Sequence, residues 1–180
     1  MKTYISILRG INVSGQKKII MTDLKALYED LNFKEVITYI QSGNVIFKTD
    51  KKFTDVKLAK LIEDKIASTY NFQVPVVIRT LEELENVIAQ NPFKKDELES
   101  LYVTFLSNAP NAINLEKLEK LENVSFLPDK FEIINKEIFM SVASYGNTKL
   151  SNNFFESKLK VTATTRNWNT VNKLIEIAQQ

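Results

Sequence analysis

The 180-residue chain contains no cysteine and no histidine. The absence of cysteine excludes disulfides, thiolate metal sites and a cysteine nucleophile. The absence of histidine removes the commonest general base, the commonest zinc ligand and every Ser-His-Asp arrangement. The sequence therefore predicts no metal site and no cofactor, and any catalysis would depend on lysine, tyrosine, arginine or carboxylate side chains.

Arginine and glycine are scarce. Only three of the 24 cations are arginine, and the chain has four glycines. Since lysine fills nearly every cationic position, Arg9, Arg79 and Arg166 are candidates for places that need a planar, two-pronged donor. The alternative for each of them is a packing role or a structural ion pair.

Long apolar runs and strong net charge are also missing. The net charge is +2, and 44% hydrophobic with 26% charged residues is average for a globular protein. The lysine pairs lack interleaved aromatic residues, which favours solvated faces over nucleic-acid contacts. No run approaches the roughly 20 apolar residues that cross a bilayer, and the first residues lack a signal-peptide core. We expect a cytoplasmic protein with no membrane partner.

Apolar periodicity predicts a β-α-β-β-α-β series, the ferredoxin-like pattern, through residue 79. Its strands are predicted over residues 4–8, 36–41, 45–48 and 74–78, and its helices over 21–31, capped by Thr22, and 54–70. A capping box of Thr, Leu, Glu and Glu at residues 80–83 begins the next helix.

The same pattern then repeats. Strands are predicted over residues 101–106, 131–134, 138–142 and 161–164, and one additional strand is predicted over 124–127. Helices are predicted over 114–122, 148–159 and from 168 onward. We therefore predict an α+β fold of two ferredoxin-like (βαββαβ-type) subdomains packed into one body. The first half covers 1–79, a connecting helix and loop 80–100, and the second half, with an extra C-terminal helix, 101–180.

Four polar clusters fall in predicted turns, at residues 9–12, 39–44, 145–149 and 164–170. The topology places the first two at one edge of the first sheet and the last two at one edge of the second. If these edges face each other, Arg9, Gln41, Asn44, Lys149 and Arg166 converge on one cleft. The alternative is four well-capped turns. The candidate ligand-binding residues are Arg9, Gly10, Asn12, Tyr39, Gln41, Ser42, Asn44, Lys149, Thr165, Arg166, Asn167 and Asn169.

Two of these clusters have features that favour anion binding. The loop at residues 10–17 nearly matches a phosphate loop, but Gln16 stands where the lysine belongs, which excludes a nucleoside triphosphatase and leaves a looser anion-binding loop. The segment around Arg166 begins the last helix, where Thr165 or Asn167 caps and unsatisfied N–H groups attract anions. The Tyr-x-x-x-Lys spacing at residues 145–149 is a chance match, because no glycine-rich dinucleotide fingerprint accompanies it.

Three segments together resemble one family over essentially the whole chain. They read LRGINV at residues 8–13, TYIQSGNV at 38–45 and ATTRNWNTV at 163–171. The chain is similar to a widespread bacterial family of small cytoplasmic proteins whose function is not established. The resemblance implies an α+β fold with two ferredoxin-like subdomains, and it implies no activity or catalytic residue. Ser14 is a departure, since members often have glycine there.

Three functions remain open from the sequence. The first is a module that binds a phosphate-bearing or other anionic ligand, a nucleotide or a nucleic-acid segment in the cleft, with Tyr39 or Trp168 available for stacking. The second is an enzyme that uses lysine, tyrosine or arginine chemistry, with Lys149, Tyr39 and Tyr145 as candidates. The third is a protein-interaction module. The sequence leaves the oligomeric state open.

Overall fold

The computed structural model describes residues 1–122 and 126–180, in which strands and helices follow one another along the chain. The strands are β1 (Lys2–Leu8), β2 (Lys34–Tyr39), β3 (Asn44–Thr49), β4 (Val76–Thr80), β5 (Leu101–Leu106), β6 (Lys130–Ile134), β7 (Glu137–Ser141) and β8 (Ala163–Asn167). The helices are α1 (Met21–Asp30), α2 (Asp55–Tyr70), α3 (Leu81–Gln90), α4 (Ala112–Glu122), α5 (Asn152–Leu159) and α6 (Trp168–Ala178).

The strands form two four-stranded sheets with the orders β2-β3-β1-β4 and β6-β7-β5-β8, and all neighbours run antiparallel. In the first sheet Ile5 of β1 pairs with Arg79 of β4. In the second sheet Val103 of β5 pairs with Arg166 of β8. Because each sheet has the βαββαβ order, the prediction of an α+β fold with two ferredoxin-like subdomains is confirmed.

Helices α1 and α2 cover one face of the first sheet. Their buried side chains recur every three or four residues, which places them on one stripe of each helix. They are Leu24, Leu27 and Tyr28 in α1 and Leu58, Ile62 and Ile66 in α2. The Tyr28 hydroxyl hydrogen-bonds to Ser6 Oγ at 2.7 Å inside this core. Burial raises the pKa of Tyr28 well above its ordinary value, so the phenol stays neutral.

The second sheet has its own core, which includes four phenylalanines. Phe154 and Phe155 of α5 pack edge to face at 5.3 Å between ring centroids. Phe126 and Phe131 extend the cluster, since Phe126 lies 5.3 Å from Phe154 and Phe131 lies 5.6 Å from Phe155. Edge-to-face pairs of this kind stabilise a core beyond the area that they bury.

Helix α1 begins at Met21, as predicted, but its N-cap is not the predicted residue. Its N-cap is Ile20, with an extended backbone and no side-chain capping bond, so the prediction of Thr22 as the cap is wrong. Ile19 and Leu24 lie in the same core cluster. Apolar residues at these two positions of a helix start form a hydrophobic staple, which explains how the helix begins without a polar cap.

Other boundaries also differ from prediction, among them those of β4, α5 and β8, which is predicted over 161–164 and observed over Ala163–Asn167. Pro75 lies outside β4, which begins at Val76, because proline has no N–H to donate to the strand ladder. Helix α5 begins at residue 152 rather than 148, after the Ser151 hydroxyl caps it by accepting the N–H of Phe154. The Thr148 hydroxyl lies in the preceding connection, where it donates to Asp129 Oδ2 at 2.5 Å.

The chain divides into two compact units, residues 1–86 with 173–180 and residues 87–172. The predicted domain boundaries at 79 and 101 stay a prediction. The first half of the predicted strand over 124–127, residues 124 and 125, lies outside the described residues. Among the residues that the structure describes, no helix is long and apolar enough to cross a membrane.

Candidate functional site

Three connections meet at one end of the first sheet. Because β1 and β2 end there and β3 and β4 begin there, residues 9–20, 40–43 and 71–75 lie side by side. Two backbone bonds join them: the N–H of Leu8 donates to Gly43 O at 2.8 Å, and the N–H of Arg9 donates to Pro75 O at 2.9 Å. The structure thus brings the first two polar clusters of the sequence together.

This end of the sheet carries charge of one sign. The three connections contain Arg9, Lys17 and Lys18, and they contain no aspartate or glutamate. The connection at the opposite end of the sheet, residues 50–54, has both signs. We call residues 9–20, 40–43 and 71–75 the cationic end of the first sheet. Such a one-signed cluster raises the local concentration of anions.

One carboxylate borders the cationic end from α2. Glu63 Oε1 accepts the N–H of Val76 at 2.8 Å, so it lies beside the start of β4. Partial burial raises the pKa of Glu63, and this backbone bond acts against that rise. The Glu63 carboxylate is therefore occupied in holding the first residue of the strand.

The β1–α1 connection contains a small hairpin. Val13 and Gln16 form an isolated bridge, with the N–H of Gln16 donating to Val13 O at 2.9 Å. The two residues between them, Ser14 and Gly15, have φ of 50° and 76°. Two successive positive φ angles are typical of the type I′ turn, which suits glycine or asparagine better than serine. A glycine at position 14 would therefore fit this turn with less backbone strain than serine.

Left-handed backbone angles recur along this connection. Positive φ angles occur at Gly10, Asn12, Ser14, Gly15 and Lys17. Two of its N–H groups are bonded within the connection, since that of Asn12 donates to Lys17 O at 3.2 Å and that of Gln16 donates to Val13 O at 2.9 Å. A Cβ added at Gly10 or Gly15 would point into open space, with nothing within 4 Å of it, so the backbone is accessible at both positions.

Asn12 holds this connection in place. Its Nδ2 donates to Ile19 O at 3.0 Å and to Gln41 O at 2.9 Å, while its Oδ1 accepts the N–H of Ile19 at 2.9 Å. The side chain therefore closes the loop 12–19 and ties it to the β2–β3 hairpin. These three bonds use both hydrogens and the oxygen of the amide for structure.

The β2–β3 hairpin is held in a similar way. Asn44 is fully buried, and its Nδ2 donates to Tyr39 O at 3.0 Å and to Ser42 Oγ at 3.1 Å. Gly43 has φ of 80°, and a Cβ there would lie 2.9 Å from Leu8 Cβ. Of the predicted residues in this hairpin, Gln41 is the exposed one.

Two surface pockets lie on either side of the small hairpin. The first has a volume of about 470 Å³ and is lined by Arg9, Gly10, Val13, Ser14, Gln16, Lys17 and Pro75. The second, of about 460 Å³, is lined by Asn12, Gly15, Lys18, Ile19, Ile20, Met21, Thr22 and Gln41. Neither lining includes a carboxylate. Sequence reasoning missed the apolar wall of the second pocket, because nothing in the pattern shows that Ile20 is exposed.

The predicted residues of the second unit occupy a different setting. Arg166 belongs to β8 and is 9% exposed, and its Nη1 donates to Thr165 O at 2.8 Å and to Thr164 Oγ1 at 3.1 Å. Burial lowers its pKa to about 10, and the nearby Tyr145 acts in the opposite direction. This guanidinium therefore braces its own strand.

The other predicted residues of this unit divide into structural and exposed ones. Thr165 Oγ1 hydrogen-bonds to Thr104 Oγ1 at 2.6 Å and to Asn152 Oδ1 at 2.7 Å. Asn167 caps α6, because its Oδ1 accepts the N–H of Thr170 at 2.8 Å. Lys149 and Asn169 are exposed. That these residues meet those of the first unit in one site stays a prediction.

Arg79 and Arg166 occupy equivalent places in the two sheets. Each is the penultimate residue of the last strand, paired with the central strand, and a capped helix follows it. Each donates Nη1 to the carbonyl of the preceding residue at 2.8 Å. The predicted capping box after Arg79 is confirmed, since the N–H of Thr80 donates to Glu83 Oε2 at 2.8 Å and the N–H of Glu83 to Thr80 Oγ1 at 3.2 Å. Sequence reasoning did not pair these two arginines.

Among the described residues, no group of three aspartate or glutamate side chains is placed to hold a metal ion. The linings of the two pockets make the candidate site a surface of cations, accessible backbone and aliphatic side chains. Its chemistry suits the binding of an anion by charge and by hydrogen-bond donors.

Comparisons with known proteins show the family and the fold to which the chain is similar. A family model described as a protein of unknown function, DUF1697, matches residues 1–139. The chain is similar to a solved structure, that of the conserved bacterial protein SP0830 from Streptococcus pneumoniae, with a TM-score of 0.71, 21% identity and 98% of each chain covered. At this identity the likeness shows the fold alone. No curated protein matches significantly. The resemblance to a bacterial family of unknown function is thus confirmed, and the chain belongs to the DUF1697 family.

Proposed function

We propose that the protein binds a phosphate-bearing or other anionic small molecule at the cationic end of the first sheet. The observation that carries this proposal is the charge of its three connections. They supply Arg9, Lys17 and Lys18 around two pockets, with no aspartate or glutamate among their residues.

The first pocket brings two different cations to one ligand volume. Arg9 and Lys17 both line it. Arginine offers a planar fork that matches two oxygens of a phosphate or carboxylate, whereas lysine adds a compact charge. Lys17 Nζ donates to Gln73 O at 2.6 Å, which ties the ammonium group to the connection 71–75. An ammonium carries three donors, so this bond leaves donors for an anion.

Size and backbone geometry support a small molecule. A volume of about 470 Å³ lies in the ordinary range of ligand pockets, roughly 300–1,000 Å³. The backbone is accessible at Gly10 and Gly15 along the same connection. A phosphate group could therefore approach the Arg9 and Lys17 donors without steric obstruction from the main chain.

The experiment compares two double variants that remove the same charge. Arg9→Gln with Lys17→Gln changes the pocket, whereas Lys34→Gln with Lys52→Gln removes two exposed lysines at the other end of the sheet. The probes are inorganic phosphate and a nucleoside monophosphate, titrated by calorimetry or NMR shift. We expect the pocket variant to lose at least about tenfold in affinity, since bonds to charged groups are worth about 1.5–3 kcal/mol each. Equal losses in both variants would reduce the effect to general electrostatics and contradict the proposal.

A third variant tests the predicted contribution of the second unit. Arg166→Lys keeps the charge but removes the fork. A folded variant that loses phosphate affinity would add Arg166 to the site. Unchanged affinity would restrict the site to the cationic end.

A further inference from the structure

Exposed aliphatic side chains gather at the cationic end. Among the described residues, nine large apolar side chains are exposed, and three of them belong to this small part of the chain. They are Val13 at 59%, Ile20 at 66% and Ile40 at 45%. Single exposed aliphatic residues are ordinary, but a group of them beside pockets marks a binding surface.

Ile20 is the most informative of the three, because folding does not account for it. It occupies the N-cap of α1 with φ −73° and ψ 137°, and it makes no side-chain capping bond. Serine, threonine or aspartate at such a position would stabilise the helix, and isoleucine is among the poorest N-caps. Its neighbour Ile19 is buried and supplies the apolar anchor of the helix start. An exposed isoleucine here violates local preference, as functional positions often do.

The pocket beside Ile20 joins an apolar wall to a cation. Ile19, Ile20 and Met21 form one wall of the 460 Å³ pocket, and Lys18 and Gln41 also line it. The first pocket repeats the combination, since Val13 lies there with Arg9 and Lys17. Each pocket therefore offers an aliphatic surface next to a positive charge.

We infer that the ligand is a single-chain anionic amphiphile, a compound with a phosphate or carboxylate group on an aliphatic chain. This inference rests on the proposed function and specifies its ligand class. In the second pocket Lys18 attracts the charged group, and the Ile20 wall beside it covers part of the chain. The complementary charge and the pocket volumes of about 460 and 470 Å³ favour a dispersed small molecule over an extended surface.

The test measures how affinity depends on chain length. The probes are inorganic phosphate, n-butyl phosphate and n-octyl phosphate, all below micelle formation, with n-octyl glucoside as a neutral amphiphile. A fully buried methylene raises affinity up to about fourfold, so octyl phosphate should bind at least about tenfold more tightly than butyl phosphate. Octyl glucoside should bind more weakly than octyl phosphate.

Ile20→Ser is the decisive variant, because it should fold at least as well as the natural chain. A serine at this N-cap gains the missing capping bond and raises the melting temperature. We expect it to bind inorganic phosphate normally and to lose the preference for octyl over butyl phosphate. Val56→Ser, which replaces an equally exposed aliphatic residue on α2, should keep that preference.

The outcomes separate this inference from the proposed function. If inorganic phosphate binds but the affinity for alkyl phosphates does not depend on chain length, the inference is wrong and the proposed function stands. If neither phosphate nor any alkyl phosphate binds, the proposed function fails. Equal affinity for octyl glucoside, an unchanged preference in Ile20→Ser, or binding only to vesicles of phosphatidylglycerol would each overturn the inference.

Discussion

Alanine substitutions at three glycines separate backbone strain from steric overlap. Gly43 has φ of 80°, and an added Cβ would lie 2.6 Å from Ile11 Cδ1 and 2.9 Å from Leu8 Cβ. Gly10 has φ of 71° but open space around the added atom, and Gly146 has neither constraint. From Gly146 to Gly10 the series adds backbone strain, and from Gly10 to Gly43 it adds steric overlap.

The expected costs follow from these positions. Gly146→Ala should change the free energy of unfolding by no more than about 0.5 kcal/mol. Gly10→Ala should cost about 1 kcal/mol, because a left-handed φ costs a non-glycine residue about 1–2 kcal/mol and the lower entropy of the unfolded chain offsets part of it. Gly43→Ala adds overpacking of about 1–3 kcal/mol, since the Cβ of Leu8 is fixed to its strand and cannot turn away. Its total is about 2–4 kcal/mol, and the branched side chain in Gly43→Val should cost more.

Urea denaturation followed by circular dichroism measures all four variants against the natural chain. The slope of free energy against urea should stay constant, so that the midpoint alone reports stability. In thermal scans each kcal/mol corresponds to about 2–4 °C for a chain of this size. If Gly43→Ala loses no more stability than Gly10→Ala, the close approach of Leu8 and Ile11 to the hairpin is refuted.

Three further predictions concern stability. Arg166→Lys should lose about 1–3 kcal/mol in urea denaturation, because its Nη1 bonds to Thr164 and Thr165 depend on the guanidinium; full stability would contradict the bracing role. Ser14→Gly should gain up to about 1 kcal/mol by relieving the positive φ of 50°, and a loss on the same assay would refute the turn type. Hydrogen bonds from Ser141 and then Lys130 lower the pKa of Asp96, so its contribution is present above the unfolded pKa and is lost as pH falls. The melting-temperature difference between the natural chain and Asp96→Asn should therefore shrink between about pH 6 and pH 3, and a constant difference would rule this out.

The sequence predicts the topology well because the turn and capping signals that separate its strands and helices are local. The hairpin signal at residues 42–44 and the capping box at Thr80 depend on neighbours in the chain, and both appear where expected. The N-cap of α1 is missed because a staple between Ile19 and Leu24, which requires the folded core, replaces the expected polar cap. Tertiary packing decides such boundaries.

The candidate site was predictable in part, because the order and direction of the strands could be predicted from the sequence. Antiparallel topology alone brings Arg9 to the hairpin of Gln41, since strand direction decides which loops share an end. The environment of Arg166 was not predictable, because residue type reveals the donor but not its burial or its bonds to Thr164 and Thr165. The exposure of Ile20 was hidden for the same reason.

The three hydrogen bonds of Asn12 have a consequence for binding kinetics. Since this one side chain fastens the 12–19 loop to the carbonyl of Gln41, the loop is already ordered before any ligand arrives. Little conformational entropy remains to be lost on association, and preorganisation of this kind favours affinity. Free and occupied forms should then differ by small side-chain movements rather than by loop closure, and association should proceed in a single phase. Asn12→Ala would restore the entropic cost, so that the same pocket binds more slowly and through a separate ordering step.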